Sequence, residues 1–435
     1  MGSARSAERA FFPLDDELAL LPGTLTPSLQ EDLVHLGTWM PFGRAVQELQ
    51  RFRRVEVSRP TAERLTEAAG AAYVAHQTAE AEQIVRALPV PPAGPAKQLL
   101  SVDGAMVPLV GGEWAEVKTL VLGEVEPPVM EQGAPVVHTT QHSYFSRLTD
   151  AETFQRLAVV ETQRRGVETA QAVAAVTDGS EWCQKFIDHH RYDALRILDF
   201  PHAGDHLSAA GQLVFGAGST QAQSWLTQQM HLLKHEGPQP VLAAVQELIR
   251  ARPDAAALTT HLAYLEKRAA HMQYPTFQQL GWPIGDGAVE SGNKLVVEAR
   301  LKGSGMHWAR THVDAMLALR NIACSDRWEE AWAQITQVQR RQAHQRRVTR
   351  QQTRRQRRPP AAALSIEVVP LRAPTPAPAA PMRPVAAKPP PVSDPAPAQT
   401  NPAEPWRPPA NHPWRHMPIG RARFRSPIRH EDAKS

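Results

Sequence analysis

The stretch QLLSVDGAMVPLVGGEWAEVKTLVLGEV, residues 98–125, decides the fold. Its first part, QLLSVDG, is a short apolar run suited to a buried strand. Its second part, EWAEVKTLVLGEV, alternates so that Ala115, Val117, Thr119 and Val121 share one face of a strand. Working outward, VVHTTQHSYFSRL (136–148) is rich in β-formers and completes three consecutive strands. Asp150 then caps a helical stretch holding Phe154 and Leu157. AVAAVTDG (172–179) and ALRILDF (194–200) follow as strands, separated by the helical SEWCQKFIDHHRY.

The order is βββαβαβ, which predicts an α/β fold, an RNase H-like mixed sheet flanked by helices. Within it, Asp103 and Asp178 each close an apolar run, and Glu290 opens the helix-like VESGNKLVVEARLKG. Two Asp from strands and a Glu from a later helix can form one acidic cup, the kind of site that holds divalent ions for phosphodiester chemistry. Asp199 also ends a strand and competes for the second Asp position.

A chain of 435 residues predicts two or three domains. Its 2 cysteines, Cys183 and Cys324, are too few for a disulfide framework and point to a reducing interior. No apolar run reaches the roughly 20 residues of a membrane helix, so a soluble, cytoplasmic protein with no membrane partner is expected. The net charge of +4 hides a local bias: between Arg340 and Arg358 there are nine Arg and no acidic residue. Such a run suits a polyanion, and it suits a solvated tail equally well.

Seven segments follow. Residues 1–19 read as a flexible N-terminus, and 20–95 as a helical domain whose third helix starts at Ser58 and breaks near Gly70. Its helices read as a helix-turn-helix exposing Arg59, Thr61, Glu63 and Arg64, or as an ordinary helical hairpin. Residues 96–206 form the first part of a catalytic core. An all-helical insertion spans 207–282, and the core resumes over 283–335 with the Glu290 helix. The basic Arg/Gln-rich segment covers 336–358. Residues 359–435 hold 20 of the 39 prolines and read as a disordered Pro/Ala-rich tail.

SVDGAMVPL, EWAEVKTLVLGEV, VTDGSEW, ILDFPHAGDHL and GAVESGNKLVVEARLKGSGMHW occur in an order that resembles the motif series of bacterial insertion-sequence transposases of the ISKra type, in the Mutator-like DDE group. The resemblance covers roughly residues 20–330. It implies an RNase H-like catalytic domain with a helical insertion between the second Asp and the Glu, and it favours the helix-turn-helix. It also implies a DDE transposase that binds the ends of its element and performs metal-dependent strand cleavage and strand transfer. A nuclease of the same fold and a catalytically silent DNA-binding protein are the alternatives.

Under this reading Asp103, Asp178 and Glu290 are both the catalytic and the metal-binding residues. The cofactor is two Mg²⁺ (or Mn²⁺) ions, because hard carboxylate oxygens suit such ions and leave room for water and phosphate. The partners are double-stranded DNA, as inverted repeats and target, and further copies of the chain in a homo-oligomer that pairs two ends on the nucleoid.

Asp199, His202 and His206 are active-site neighbours. His202 and His206 have i, i+4 spacing, which suits a metal site on a helix, although Pro201 and Gly204 count against a regular one. Glu290, Asn293 and Lys294 fall on one polar helical face that can meet DNA. Lys294, Arg300, Lys302 and His307 offer cations for phosphates. Asn293 either reads a base or caps a turn, and Trp308 either stacks on a flipped base or belongs to the core.

Overall fold

The computed structural model describes residues 25–131, 133–252 and 256–357. The segment 1–19 and the Pro/Ala-rich segment 359–435 lie outside the described residues. Three helices come first: α1 (Pro27–Trp39), α2 (Phe42–Arg53) and α3 (Arg59–Ala87). Thr26 and Ser58 cap α1 and α3 through their side-chain oxygens, each with a Pro in the first turn.

The sheet is built from β1 (Lys97–Pro108), β2 (Trp114–Val125), β5 (Thr139–Arg147), β6 (Ala172–Thr177) and β7 (Leu195–Leu198) in the order β5-β2-β1-β6-β7. β1 is antiparallel to β2 and parallel to β6; β2 is antiparallel to β5, and β6 is parallel to β7. A ribbon of β3 (Val129–Glu131) and β4 (Ala134–Val136) decorates the turn before β5. The expected strand and helix order is found, with α4 (Ala151–Leu157) and α5 (Val159–Arg164) before β6 and α6 (Glu181–Arg191) before β7.

Side-chain alternation along β1 sorts the cores. Leu100 and Val102 face a cluster with Phe154, Cys183, Phe186 and Ile187, under α4 and α6. Leu99 faces the opposite side and joins Ile197, Leu207 and Leu233, whereas Ala105 and Val107, on that same side, join Leu65, Val289 and Met316. Asp103 has the parity of Leu99 and Ala105, so it sits where two apolar cores meet.

The insertion is helical as expected, but it begins earlier, directly after Asp199. It comprises α7 (Phe200–Phe215), α8 (Thr220–His235), α9 (Pro238–Ala251), α10 (Ala256–Lys267), a 3₁₀ turn (Ala269–Met272) and α11 (Tyr274–Gln279). The chain then returns to the sheet as α12 (Gly287–Gly292), a π-helical turn (Asn293–Glu298) and α13 (Ala299–Leu301), followed by α14 (Arg310–Cys324) and α15 (Trp328–Arg357).

The N-terminal helices do not form a core of their own. Leu33, Phe42, Leu49, Ala62 and Leu65 pack with Val107, Val296, Leu301 and Leu317. Nor does α3 break at Gly70: it runs to Ala87, and a Cβ on Gly70 would stand 2.0 Å from the Ala315 carbonyl oxygen of α14. That glycine is a contact point between helices, not a punctuation mark. Two buried arginines lock the arrangement. Arg300 Nε donates to the Gly37 carbonyl at 3.0 Å, and Arg320 donates to the carbonyls of Leu295, Val296 and Thr38. The guanidinium of Arg320 thus ties the π turn to the end of α1.

The basic segment is also helical. It is the outer part of α15, which leaves the core after Ile335 and Gln339.

Candidate active site

Asp103 lies in the middle of β1, not at its end, and Asp178 follows the last residue of β6. The parallel register pairs Lys97 with Ala172 and Leu100 with Ala175; continued along the strands, it pairs Asp103 with Asp178. Burial raises the Asp103 carboxyl above its ordinary range, and the charges of Asp178 and Glu116 raise it further. Two carboxylates on neighbouring strands repel each other unless a cation stands between them. Beneath them Cys183 is buried, and burial together with the Asp178 charge holds its thiol protonated.

The Glu290 helix reaches this point because Gly292 lets it lie on the sheet. A Cβ there would come within 2.8 Å of Val121 Cγ2 and 3.1 Å of the Tyr144 ring. Asn293, the next residue, is 5% exposed and donates from Nδ2 to Asp103 Oδ2 at 2.9 Å, while its own Oδ1 is buried without a partner. Asn293 therefore turns inward and orients Asp103, and it is not on the exposed face with Glu290 and Lys294. Glu290 is exposed and pairs with Lys294 at 3.5 Å.

Asp199 caps α7, accepting from the His202 amide at 2.8 Å, and its other oxygen accepts from the Asp286 amide at 2.9 Å. Pro201 occupies the first turn of α7, where its missing N–H costs nothing, and Gly204 receives the Met230 side chain, so neither interrupts the helix. Asp286 is a fifth acidic residue here, one that the sequence does not announce. Burial pushes its carboxyl up to about 8, helped by the charges of Asp199, Asp103 and Glu290, so it gives up its proton less readily than an ordinary Asp. Its position just before the Glu290 helix was the available signal.

The insertion braces the Asp178 turn. The Tyr264 hydroxyl donates to the Asp178 carbonyl, and Arg268 donates to the Gly179 carbonyl from Nη2 at 2.6 Å and Nε at 3.1 Å. Gly179 has φ +73°, which a side chain would resist. His206 stacks on Tyr264 with ring centroids 3.7 Å apart, and its Nδ1 lies 3.1 Å from Nδ1 of His261. Burial lowers His206 to about 4, helped by its neighbours His202, His261 and Arg268, so it is a neutral ring near pH 7. His202 touches the same stack, with centroids 5.3 Å from His206. His261, Tyr264 and Arg268 recur at i, i+3 and i+7 on the insertion, a periodic polar face that the sequence reading passed over.

No protein-family model matches this chain, and no curated protein matches it.

The proposed DNA contacts divide into two groups. Arg300, 2% exposed, is sandwiched against Phe42 and Trp308, and burial lowers it to about 10; Trp308, 8% exposed, donates to the Leu301 carbonyl. Both belong to the core: Arg300 falls on the inward helical face of Val296, Val297 and Leu301, and Trp308, in the connection before α14, bridges to Leu109. Lys302 is half-buried and pairs with Glu298 at 2.6 Å. Arg59 and His307, far apart in sequence, line one groove of about 360 Å³ together with Glu63 and His312. Arg64 is exposed, and Thr61 is tied to the Ser58 hydroxyl at 2.9 Å.

Among the described residues, no three His, Cys, Asp or Glu side chains stand together as a preformed metal cage. The donor chemistry nevertheless fits divalent ions. Asp103 and Asp178 offer hard oxygens close enough for the charge of one to act on the other, and the buried Oδ1 of Asn293, whose Nδ2 holds Asp103, lacks a partner. Glu290 would join by releasing Lys294.

Proposed function

We propose that this chain is a DDE transposase on an RNase H-like sheet, acting on double-stranded DNA at the ends of its own element. The observation that carries the reading is the Asn293 bond that seats the Glu290 helix on the strand of Asp103, combined with the parallel β1–β6 ladder, whose offset, carried past its last pair, sets Asp103 level with Asp178. The strand order β5-β2-β1-β6-β7 and the helical segment between the second Asp and the Glu support it.

Asp103, Asp178 and Glu290 would hold two Mg²⁺ ions. When bound, such ions supply charge stabilisation to the attacking and leaving oxygens of an in-line displacement at phosphorus. The protein does the positioning. Asn293 holds Oδ2 of Asp103 in place. Tyr264 and Arg268 set the turn that presents Asp178. Lys294, next to Glu290 on the exposed side, neutralises that carboxylate in the resting chain and is placed to meet a DNA phosphate once Glu290 is engaged. The chain needs no covalent intermediate with DNA. Pairing two ends calls for at least two copies of it.

The test is strand joining with purified protein, Mg²⁺ and DNA carrying the inverted repeats that flank the gene, beside D103A of equal folded yield. Joined product from the native chain alone sustains the reading. Cutting of branched DNA without joining would replace it with a structure-selective nuclease. Binding of the ends with neither reaction, in Mn²⁺ and with precut ends, would replace it with a DNA-binding protein.

A further inference from the structure

The outer part of α15 has no role in the candidate site. It leaves the core after Gln339 and continues as a helix to Arg357. Arg341, Arg346, Arg347 and Arg350 are exposed, and none is in an ion pair among the described residues. The positions 346, 350, 354 and 357 are spaced by one helical turn each, so they share one face, with 347 at its edge. Arg346 with Arg350 and Arg350 with Arg354 are like charges at i, i+4, which destabilise an unsupported helix. No acidic residue between 340 and 358 relieves them.

We propose that this arm, from Arg341 to Arg357, is a second duplex-DNA-binding surface, gripping backbone phosphates outside the candidate active site. Its 17 residues extend about 25 Å, on the order of seven base pairs. Arginine on one helical face meets phosphate oxygens without reading bases, so the grip is independent of sequence. Phosphate also removes the repulsion within the arm. The choice of duplex DNA as the partner rests on the transposase reading.

The test is a salt titration of binding to a labelled 30-base-pair duplex of scrambled sequence, using the full chain and a variant with R346Q, R347Q, R350Q, R354Q and R357Q. Glutamine keeps helix propensity close to that of arginine, and circular dichroism verifies the fold. Each phosphate contact contributes roughly 0.9 to the slope of log K against log salt, so the variant's slope should be shallower by about 4. Equal slopes overturn the proposal. Tighter binding of an RNA duplex than of DNA, abolished by the same five changes, overturns the choice of partner. The two readings separate cleanly. End joining by the native chain with unchanged slopes removes the arm and keeps the transposase; a reduced slope without end joining does the reverse.

Discussion

Asn293 donates to Asp103 across 190 residues of sequence, and this 2.9 Å bond ties the Glu290 helix to the central strand. Hydrogen bonds to charged groups contribute about 1.5–3 kcal/mol. Asn293→Ala should therefore reduce strand cleavage by about tenfold to a hundredfold with the fold intact. The bond also lowers the Asp103 carboxyl, so its removal should move the acid limb of the pH–activity profile to higher pH. An unmoved profile would reduce Asn293 to a packing residue.

The clamp on the Asp178 turn makes a separate prediction. Tyr264→Phe retains the ring stacked on His206 but loses the hydroxyl bond to the Asp178 carbonyl. Activity should fall severalfold, with a stability loss of about 1 kcal/mol in urea. Full activity in both Tyr264→Phe and Arg268→Met would show that the insertion has no part in setting Asp178.

Glycines offer an internal control for the shared core. Gly70→Ala drives a methyl against the Ala315 carbonyl and should destabilise the chain by about 1–3 kcal/mol. Gly43, in α2, has open space where a Cβ would go, so Gly43→Ala should stabilise by about 0.4–1 kcal/mol. Chemical denaturation of the two variants should give opposite signs.

Asp286 links stability to pH. Its folded value of about 8 lies above that of an unfolded Asp, about 4, so the folded chain binds the extra proton between them. The stability contributed by this group is full below about 4 and is lost as pH rises through about 8. Asp286→Asn keeps a donor facing Asp199 without the ionisation and should flatten the decline, most visibly in melting temperature between pH 6 and 9. An identical slope in both proteins would mean that Asp286 ionises normally.

The sheet was legible because its strands are short apolar runs with clear alternation, and element order alone put Asp103 on the first strand and Asp178 at the end of a later one, with Asp199 still competing for the second place. The arginines were not. Arg300 and Lys302 look alike in sequence, yet one fills the core and the other its border, because only contact with Gly37 and Phe42 gives a guanidinium somewhere to go inside. Gly70 misled for a related reason: a glycine at a helix crossing and a glycine at a helix end read identically until the second helix is present. Asp286 escaped notice because its proton is retained by burial among other acids, a property of the assembled fold.

The bond from Arg300 to Gly37 spans 263 residues, and Gln30 meets Gln339 across 309. During synthesis, then, the first three helices leave the ribosome with their apolar faces bare and wait for nearly the whole described chain before those faces are covered. Closing contacts of such long sequence separation is slow. A product truncated ahead of Val289 would leave the cluster of Leu33, Phe42 and Leu65 without Val296, Leu301, Met316 and Leu317, an adhesive surface for chaperones and aggregates.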